Sequence, residues 1–486
     1  MERRRLKRAG LEVSPKFLPP LDPDFLPASL WTRAFKAKIQ DAGSPCHVMI
    51  ALERGKGSVS RYDLEILSPG SSAEAREANL FFIERMVKSL LWMRGARRVS
   101  LSGAEEILKI VAKMYSRHGE KSFDFGLMSR AYAEPFEVRV VKSKAMPEAA
   151  EVARPLGGHF DGYRVGFDLG ASDWKVAAVA RGEAVYTAEF PWNPAVQASP
   201  RYHYYHLRAA LNLAAGHLPR VEAIGGSAAG IYVNNEPRVA SLFRGVKESL
   251  FAREIRPLFH RLQQEWRVPF EVANDGEVAA LAGALSFKVR RLLAISMGSS
   301  QAGGYVDGRG HLTDWLNELA FAPVDYRLLA PLDEWSGDRG CGVQYFSQQA
   351  VFRLAKKAGL TIDESLPAAE KLRQVQASLA AGEDRARKIF ETIGVYLGYA
   401  IAHYADFYDL CHVLLLGRVT SGEGGSLILD KAQEVLKVEF PDLAERVRLH
   451  LPDERSRRLG QAMAAASLPL IRPKKGCSRG EQIRDK

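Results

Sequence analysis

Two aspartates in this 486-residue chain each end a short apolar run and open a turn: Asp168 in YRVGFDLGASDWKVAAV (163–179) and Asp275 in FEVANDGEVAALAG (270–283). A carboxylate at the mouth of a buried strand can do two kinds of work. It can hold hydrated magnesium, which takes few protein ligands and keeps its waters, or it can accept a proton as a general base. Beside Asp168, Gly170 would let backbone N–H groups approach an anion, and Ser172 and Lys175 could donate to phosphate oxygens. Read alone, this segment is equally an ordinary hairpin. Asn274 and Asp275 could likewise be no more than a helix N-cap, a common use of both residues.

Three other turns are rich in small residues. LLAISMGSSQAGGYVDG (292–308) reads as two strands around a loop in which Gly298, Ser299, Ser300 and Gly303 are candidate phosphate contacts. It is not a Walker loop, because no Gly-Lys-Ser/Thr is present and a strand follows. CHVLLLGRVTSGEGG (411–425) is a buried strand ending in Gly417 and a cluster from Gly422. Such a turn can lie against a flat adenine ring, or simply join a strand to a helix. VEAIGGSAAGIYVNN (221–235) has small residues that would admit a ligand or another backbone.

These turns need strands and helices to hold them. From residue 162 to about 470, strand–turn–strand patterns alternate with long helices. Before that, HVMIAL and SRYDLEIL read as strands, and 73–94 as a helix ending near Gly95. A strand (RRVSLSG), a helix (AEEILKIVAKMYSRHG) and a stretch ending PFEVRVVKS complete an α/β unit over 41–145, without phosphate-loop glycines or metal spacing. Residues 1–40 are basic and Pro-rich with a short amphipathic piece near Leu30–Ile39, and 146–161 read as a linker.

Length suggests roughly three domains. Hydrophobic residues at 47% and charged residues at 26% fit an ordinary globular chain. No apolar run approaches the ~18 residues of a membrane span, and no signal-type stretch follows the N-terminus, so a cytoplasmic protein is expected. The net charge of +11 sits mostly on two ends that look disordered: residues 2–8 and 472–486 carry +4 each, leaving +3 between them. No basic face for nucleic acid follows from that. Cys46, Cys341, Cys411 and Cys477 form no C-x-x-C pair and read as reduced thiols.

Taken in order, the glycine turns resemble the ROK family (repressor, open reading frame, kinase), over Gly162 to about Leu470. The resemblance implies a two-lobed actin/hexokinase-type, ribonuclease H-like core, with a small lobe over 162–285 and a large lobe over 286–471 whose C-terminal helix returns to the small lobe. It implies ATP phosphates between DLGASDWK and GSSQAGG, adenosine near LLGRVTSGEGG, magnesium held through water by Asp168, and Asp275 as catalytic base. Asn274, Asp275, Glu318 and groups near Ser241 would hold a sugar. In HLTDWLNELAF (311–321), Phe321 stands where the family pattern has His, and in GCGVQYFS (340–347) Cys341 alone remains of a zinc-binding cysteine cluster. One thiolate cannot make a four-ligand site, so no zinc is expected.

The function expected is thus ATP-dependent phosphorylation of a hexose or N-acetylhexosamine, with a homodimer as the expected assembly. Two other classes fit the same residues: a sugar-responsive transcriptional regulator, and a pseudokinase weakened at Phe321 and Ser300. The 41–145 unit could mediate oligomerisation or cover the cleft.

Overall fold

A computed structural model describes residues 4–151, 156–452 and 460–471. The basic segment 472–486, with Cys477, and residues 152–155 of the expected linker lie outside the described residues.

The first surprise is at the N-terminus. Residues from Arg4 onward are not a loose basic tail. Leu6–Arg8 and Leu11–Val13 form a hairpin that buries Leu6, Leu11 and Val13. The Pro-rich stretch after it lies on the large lobe, with Phe25 and Leu26 each 1% exposed. Asp22 is buried there against Arg327 and Lys357, at 2.8 and 2.6 Å, and accepts from Tyr396 at 2.6 Å. Prolines stop a helix but not burial: apolar residues and one paired carboxylate between them fix the segment.

Helix α1 (Ala28–Ala42) leads into a four-stranded sheet of β1 (Cys46–Glu53), β2 (Val59–Ile66), β3 (Arg98–Ser102) and β4 (Glu137–Val140), in the order β2-β1-β3-β4. Helix α2 (Ala73–Arg94) starts at Ser72, whose side chain caps Ala75 N–H, and stops at Gly95 with φ 78°. It is buried almost along its length because it lies between this sheet and the large lobe. Two helices follow, α3 (Glu105–Met114) and α4 (Ser122–Tyr132). Local sequence gives little sign of α4, which has no side-chain N-cap and a glycine inside it.

The small lobe is a five-stranded sheet of β5 (Tyr163–Leu169), β6 (Asp173–Ala180), β7 (Glu183–Pro191), β8 (Ala223–Ala228) and β9 (Phe270–Asn274). Its order is β9-β8-β5-β6-β7, an antiparallel meander with two strands added in parallel to β5. This is the ribonuclease H-like arrangement. Helix α5 (Pro200–Ala215) covers one face. Helix α6 (Leu258–Trp266) leads to β9, and α7 (Asp275–Phe287) leaves it.

The large lobe repeats the plan in shorter form. It uses β10 (Leu292–Met297), β11 (Gln301–Val306), β12 (His412–Leu416) and β13 (Arg448–His450), in the order β11-β10-β12-β13. Its helical layer includes α8 (Gln348–Ala358), α9 (Ala368–Ala380), α10 (Asp384–Tyr404) and α11 (Glu423–Glu439). Gly394 and Gly398 let α10 and α11 approach closely: a Cβ on either would meet Ile428, Lys431 or Val435. The short helix α12 (Gln461–Ala466) returns to the small lobe, where Gly166 and Gly225 make room for the carbonyls of Ala462 and Ala465.

The chain is therefore an α/β protein with a two-lobed actin/hexokinase-like core and an added N-terminal α/β unit. Helix α7 packs on the large-lobe sheet, not on the small lobe. Gly304 and Gly283 admit its backbone against β11 and β12. Strand β9 of the small-lobe sheet thus passes at Asn274–Asp275 into a helix that lies on the large-lobe sheet. No helix among the described residues is long and apolar enough to cross a membrane.

Candidate active site

Parallel strands deliver chemistry at their carboxyl ends. Strand β5 ends at Asp168–Leu169 and β9 ends at Asn274, one residue before Asp275. Strand register then builds a polar row across the small-lobe sheet. Ser227 pairs with Asp168, Asp168 with Lys175, and Lys175 with Glu189. Register partners share a face, so these four side chains stand side by side. Ser227 donates to Asp168 Oδ1 at 2.6 Å. Lys175 lies 3.2 Å from Asp173 and 3.9 Å from Glu189. Burial pushes Asp168 up to about 6, against the pull of Ser227 and Lys175, and the charge of Asp275 adds to the rise.

Asp168, Lys175 and Glu189 line one side of an interlobe cleft of about 600 Å³. Ser296, Gly417, Thr420 and Ser421 of the large lobe line the other, and Gln461 of α12 closes an end. Gly417, at φ 95°, packs its backbone on Met297 and joins the ends of β12 and β10. Gly422 caps α11 at φ 67° with open space beside it.

The other sequence candidates sort differently. Gly170 N–H is bonded to Asp173 O, its carbonyl accepts from Trp192 Nε1, and Ser172 Oγ donates to Asp173. They shape the hairpin and do not line the cleft. Gly298–Ser300 is a three-residue loop between β10 and β11, held by Gln348 N–H on Gly298 O. Ser299 and Ser300 are exposed, and only Ser296 before them lines the cleft. Gly303 is inside β11, where a Cβ would come within 2.5 Å of Asn317 O. Its smallness serves packing, not a phosphate loop.

A second cavity, of about 130 Å³, is lined by residues on either side of the Asn274 helix start and by the N-terminal unit. Asn274, Glu277, Glu318, Tyr232 and Asn235 line it. Asn274 caps α7 in a capping box: its Oδ1 accepts from Gly276 N–H at 2.7 Å, and Glu277 reaches back to Asn274 N–H. Its Nδ2 donates to Gly230 O at 2.7 Å. Burial pushes Glu277 up to about 8 and Glu318 up to about 7, the latter also raised by Asp275. Ser241 is exposed and lines neither cavity.

Asp275 itself lines neither cavity; it follows Asn274, which lines the small one. Its carboxyl, raised chiefly by burial, accepts from Gly276 N–H at 2.9 Å. Its main-chain carbonyl accepts from Gln461 at 3.0 Å. Its charge reaches Asp168 on the large cleft and both Glu318 and Tyr232 on the small cavity.

The N-terminal unit also contributes residues around this cavity. Arg54 and Tyr132 line the small cavity. Phe321 is 7% exposed and packs on Trp92 and Phe123, with ring centroids 4.3 and 5.4 Å apart. Cys341 is fully buried, its thiol pushed up to about 12 by burial. Beside it Asp338 pairs with Arg85, Lys88 and Lys121 at 3.2, 3.3 and 2.9 Å. Where the family pattern has a metal knot, charge pairs tie this segment to the N-terminal unit. Among the described residues no group of three or more His, Cys, Asp or Glu could hold a metal.

No protein-family model matches the chain. A curated glucokinase of Halalkalibacterium halodurans is 25% identical over 204 residues, covering 39% of this chain and 60% of the relative. The chain thus spans less than two thirds of that relative's length. A ROK family glucokinase from Streptomyces griseus, solved with glucose and AMPPNP, is 19% identical with a TM-score of 0.46, over 63% of this chain and 99% of that one. A ROK hexokinase from Thermus thermophilus is 20% identical with a TM-score of 0.48, over 62% and 98%. A ROK family transcriptional regulator, a homolog of the E. coli MLC protein, is 17% identical with a TM-score of 0.49, over 64% and 78%. The chain is similar to sugar kinases and to a regulator alike.

Proposed function

We propose that this protein phosphorylates a hexose or N-acetylhexosamine with ATP, Asp275 acting as general base. One observation carries the reading: Asp275 follows the carboxyl end of β9 and starts α7, which passes to the large lobe, next to Asn274 on a small polar cavity that Glu318 also lines, while Asp168 lines a roomy cleft. The nucleotide occupies the cleft, with its phosphates toward Asp168 and Lys175, and the sugar occupies the cavity.

Magnesium fits the residues present. Asp168 is 5% exposed, and only its Oδ1 accepts a hydrogen bond among the described residues. Its carboxyl is raised by burial to about 6, and a cation beside it would favour the ionised form. Bound there, the ion offsets the charge of the triphosphate, as Mg²⁺ does with one or two carboxylates. Lys175 adds a second positive charge at the same place.

The sugar hydroxyl oxygen attacks the γ-phosphorus. Its bond to the bridging oxygen breaks, ADP leaves, and the hydroxyl proton passes to Asp275. Burial raises Asp275, which makes it a better proton acceptor than an exposed aspartate. Glu318 holds sugar hydroxyls, and Asn274 fixes the start of α7 so that Asp275 faces the reacting atoms. Helix α12 packs on the small-lobe sheet and on α7, and its Gln461 lines the cleft.

A coupled assay for ADP release over a panel of hexoses and N-acetylhexosamines tests the reading. Wild type should release ADP only when a sugar is present, and Asp275→Asn should lower kcat by roughly 10³-fold while the protein still folds. Near-normal sugar-dependent ATP consumption by Asp275→Asn would show that another group is the base. Binding of a sugar without ADP release would identify a sugar-binding protein rather than a kinase.

A further inference from the structure

The small cavity is walled by the N-terminal unit as well as by the two lobes. Helix α2 ends with its last carbonyls aimed at the segment that carries Glu318. The carbonyls of Trp92, Met93 and Arg94 accept from the N–H groups of Glu318, Asn317 and Leu316 at 3.0, 3.1 and 3.2 Å. Helix ends leave such carbonyls unpaired, and here they set the backbone of the candidate sugar-binding segment. The Arg94 guanidinium lies 3.5 Å from the Trp315 ring centroid.

Arg54 works on the same segment. It reaches Asp314 at 3.3 Å, Ser60 at 2.7 Å and Glu151 at 2.6 Å. With its fork committed to protein partners, Arg54 is a positioning residue. Tyr132 is different. Its hydroxyl lies over Gly95 and makes no hydrogen bond to the described residues, and the residue is on the cavity wall with Arg54 and Asp314. Burial pushes its ionisation up, so it stays a neutral O–H that can donate and accept. Thr313, also on the cavity wall, has a buried hydroxyl without a partner among the described residues. A buried hydroxyl left unpaired, as at Thr313, is costly unless a polar ligand meets it, and the Tyr132 O–H on the same wall is free to bind that ligand.

We propose that Tyr132, from the N-terminal unit, hydrogen-bonds a hydroxyl of the bound monosaccharide and helps to set sugar specificity. The N-terminal unit is on this account part of the substrate site, not an appended module. The proposal rests on the sugar-kinase reading.

The test compares wild type with Tyr132→Phe on the panel sugar that wild type phosphorylates best, and on its monodeoxy analogues. The expected result is a KM for the parent sugar raised about tenfold, kcat within about twofold, and an unchanged melting temperature. One deoxy analogue, lacking the hydroxyl that Tyr132 contacts, should show the same KM with both proteins. An unchanged KM for the parent sugar, or an equal penalty with every analogue, would overturn the contact and leave the kinase reading intact. No turnover of any panel sugar by wild type would overturn both.

Discussion

The Tyr132 hydroxyl occupies the space into which a Cβ at position 95 would project, so Gly95 both ends α2 and admits that hydroxyl. An alanine there combines a left-handed backbone, at φ 78°, with a direct clash. Gly95→Ala should cost about 2–4 kcal/mol in urea denaturation. Gly43 is the internal control: it ends α1 at φ 66°, and nothing lies within 4 Å of its Cβ position. Gly43→Ala should lose only about 1 kcal/mol, the backbone cost alone. Equal losses at both sites would mean that the fit between Gly95 and Tyr132 carries no energy.

Asp168 offers a test that separates function from fold. Burial raises its carboxyl to about 6, so the native state binds a proton there more tightly than the unfolded chain does. Above that pH, the ionised group costs stability. Asp168→Asn should therefore be as stable as wild type at pH 8, or more stable. Phosphoryl transfer should nonetheless fall by about 10²–10³-fold, without recovery at high magnesium. A variant that keeps its activity, or that unfolds at pH 8, would count against a metal-facing role for this carboxylate.

The parts of the site legible in the sequence are those set by neighbours along the chain. Asp168 before its turn, Asn274–Asp275 at a helix start and the hairpin at 292–306 are local patterns, and all three lie where their spacing placed them. Small residues were harder to interpret, because a ligand and a packed backbone leave the same signature. Gly225, Gly303 and Gly304 accommodate Ala465, Asn317 and Gly276 respectively. The role of the N-terminal unit was not legible at all. It depends on pairings such as Trp92 with Glu318 and Arg54 with Asp314, more than two hundred residues apart. Only the Asn274–Glu277 capping box offered a further local signal that went unused.

The N-terminal strap should be energetically coupled to the large lobe through Asp22. Burial alone would push this carboxyl up, but hydrogen bonds from Arg327, Lys357 and Tyr396 hold it well below the usual carboxylate range. Asp22→Ala leaves Arg327 with Asp325 as its remaining partner and exposes the cluster to an unbalanced charge. The expected loss is about 3–5 kcal/mol, the range for breaking one side of a buried pair. Because its folded-state ionisation is depressed, the contribution is present above the unfolded value, near 4, and is lost only as pH falls through the lower, folded value. A difference between wild type and Asp22→Ala of under about 1 kcal/mol at pH 7 would show the strap to be weakly held.

Glu277 predicts the opposite pH trend. Burial raises it to about 8, despite hydrogen bonds from Asn274 N–H and the Asn317 side chain. The folded protein thus holds this proton where the unfolded chain, with an ordinary value of 4.5, releases it. The stability linked to Glu277 is complete below about pH 4.5 and is lost as pH climbs toward 8. Glu277→Gln keeps the shape and removes the titration. Its melting temperature, measured against wild type, should improve steadily from pH 5.5 to pH 8.5, leaving a flatter stability profile. Glu318 remains in the variant and retains its own, smaller dependence near pH 7. A melting-temperature difference that stays constant across that range would mean that Glu277 titrates at an ordinary carboxylate value and is not enclosed in the cavity wall as its capping role requires.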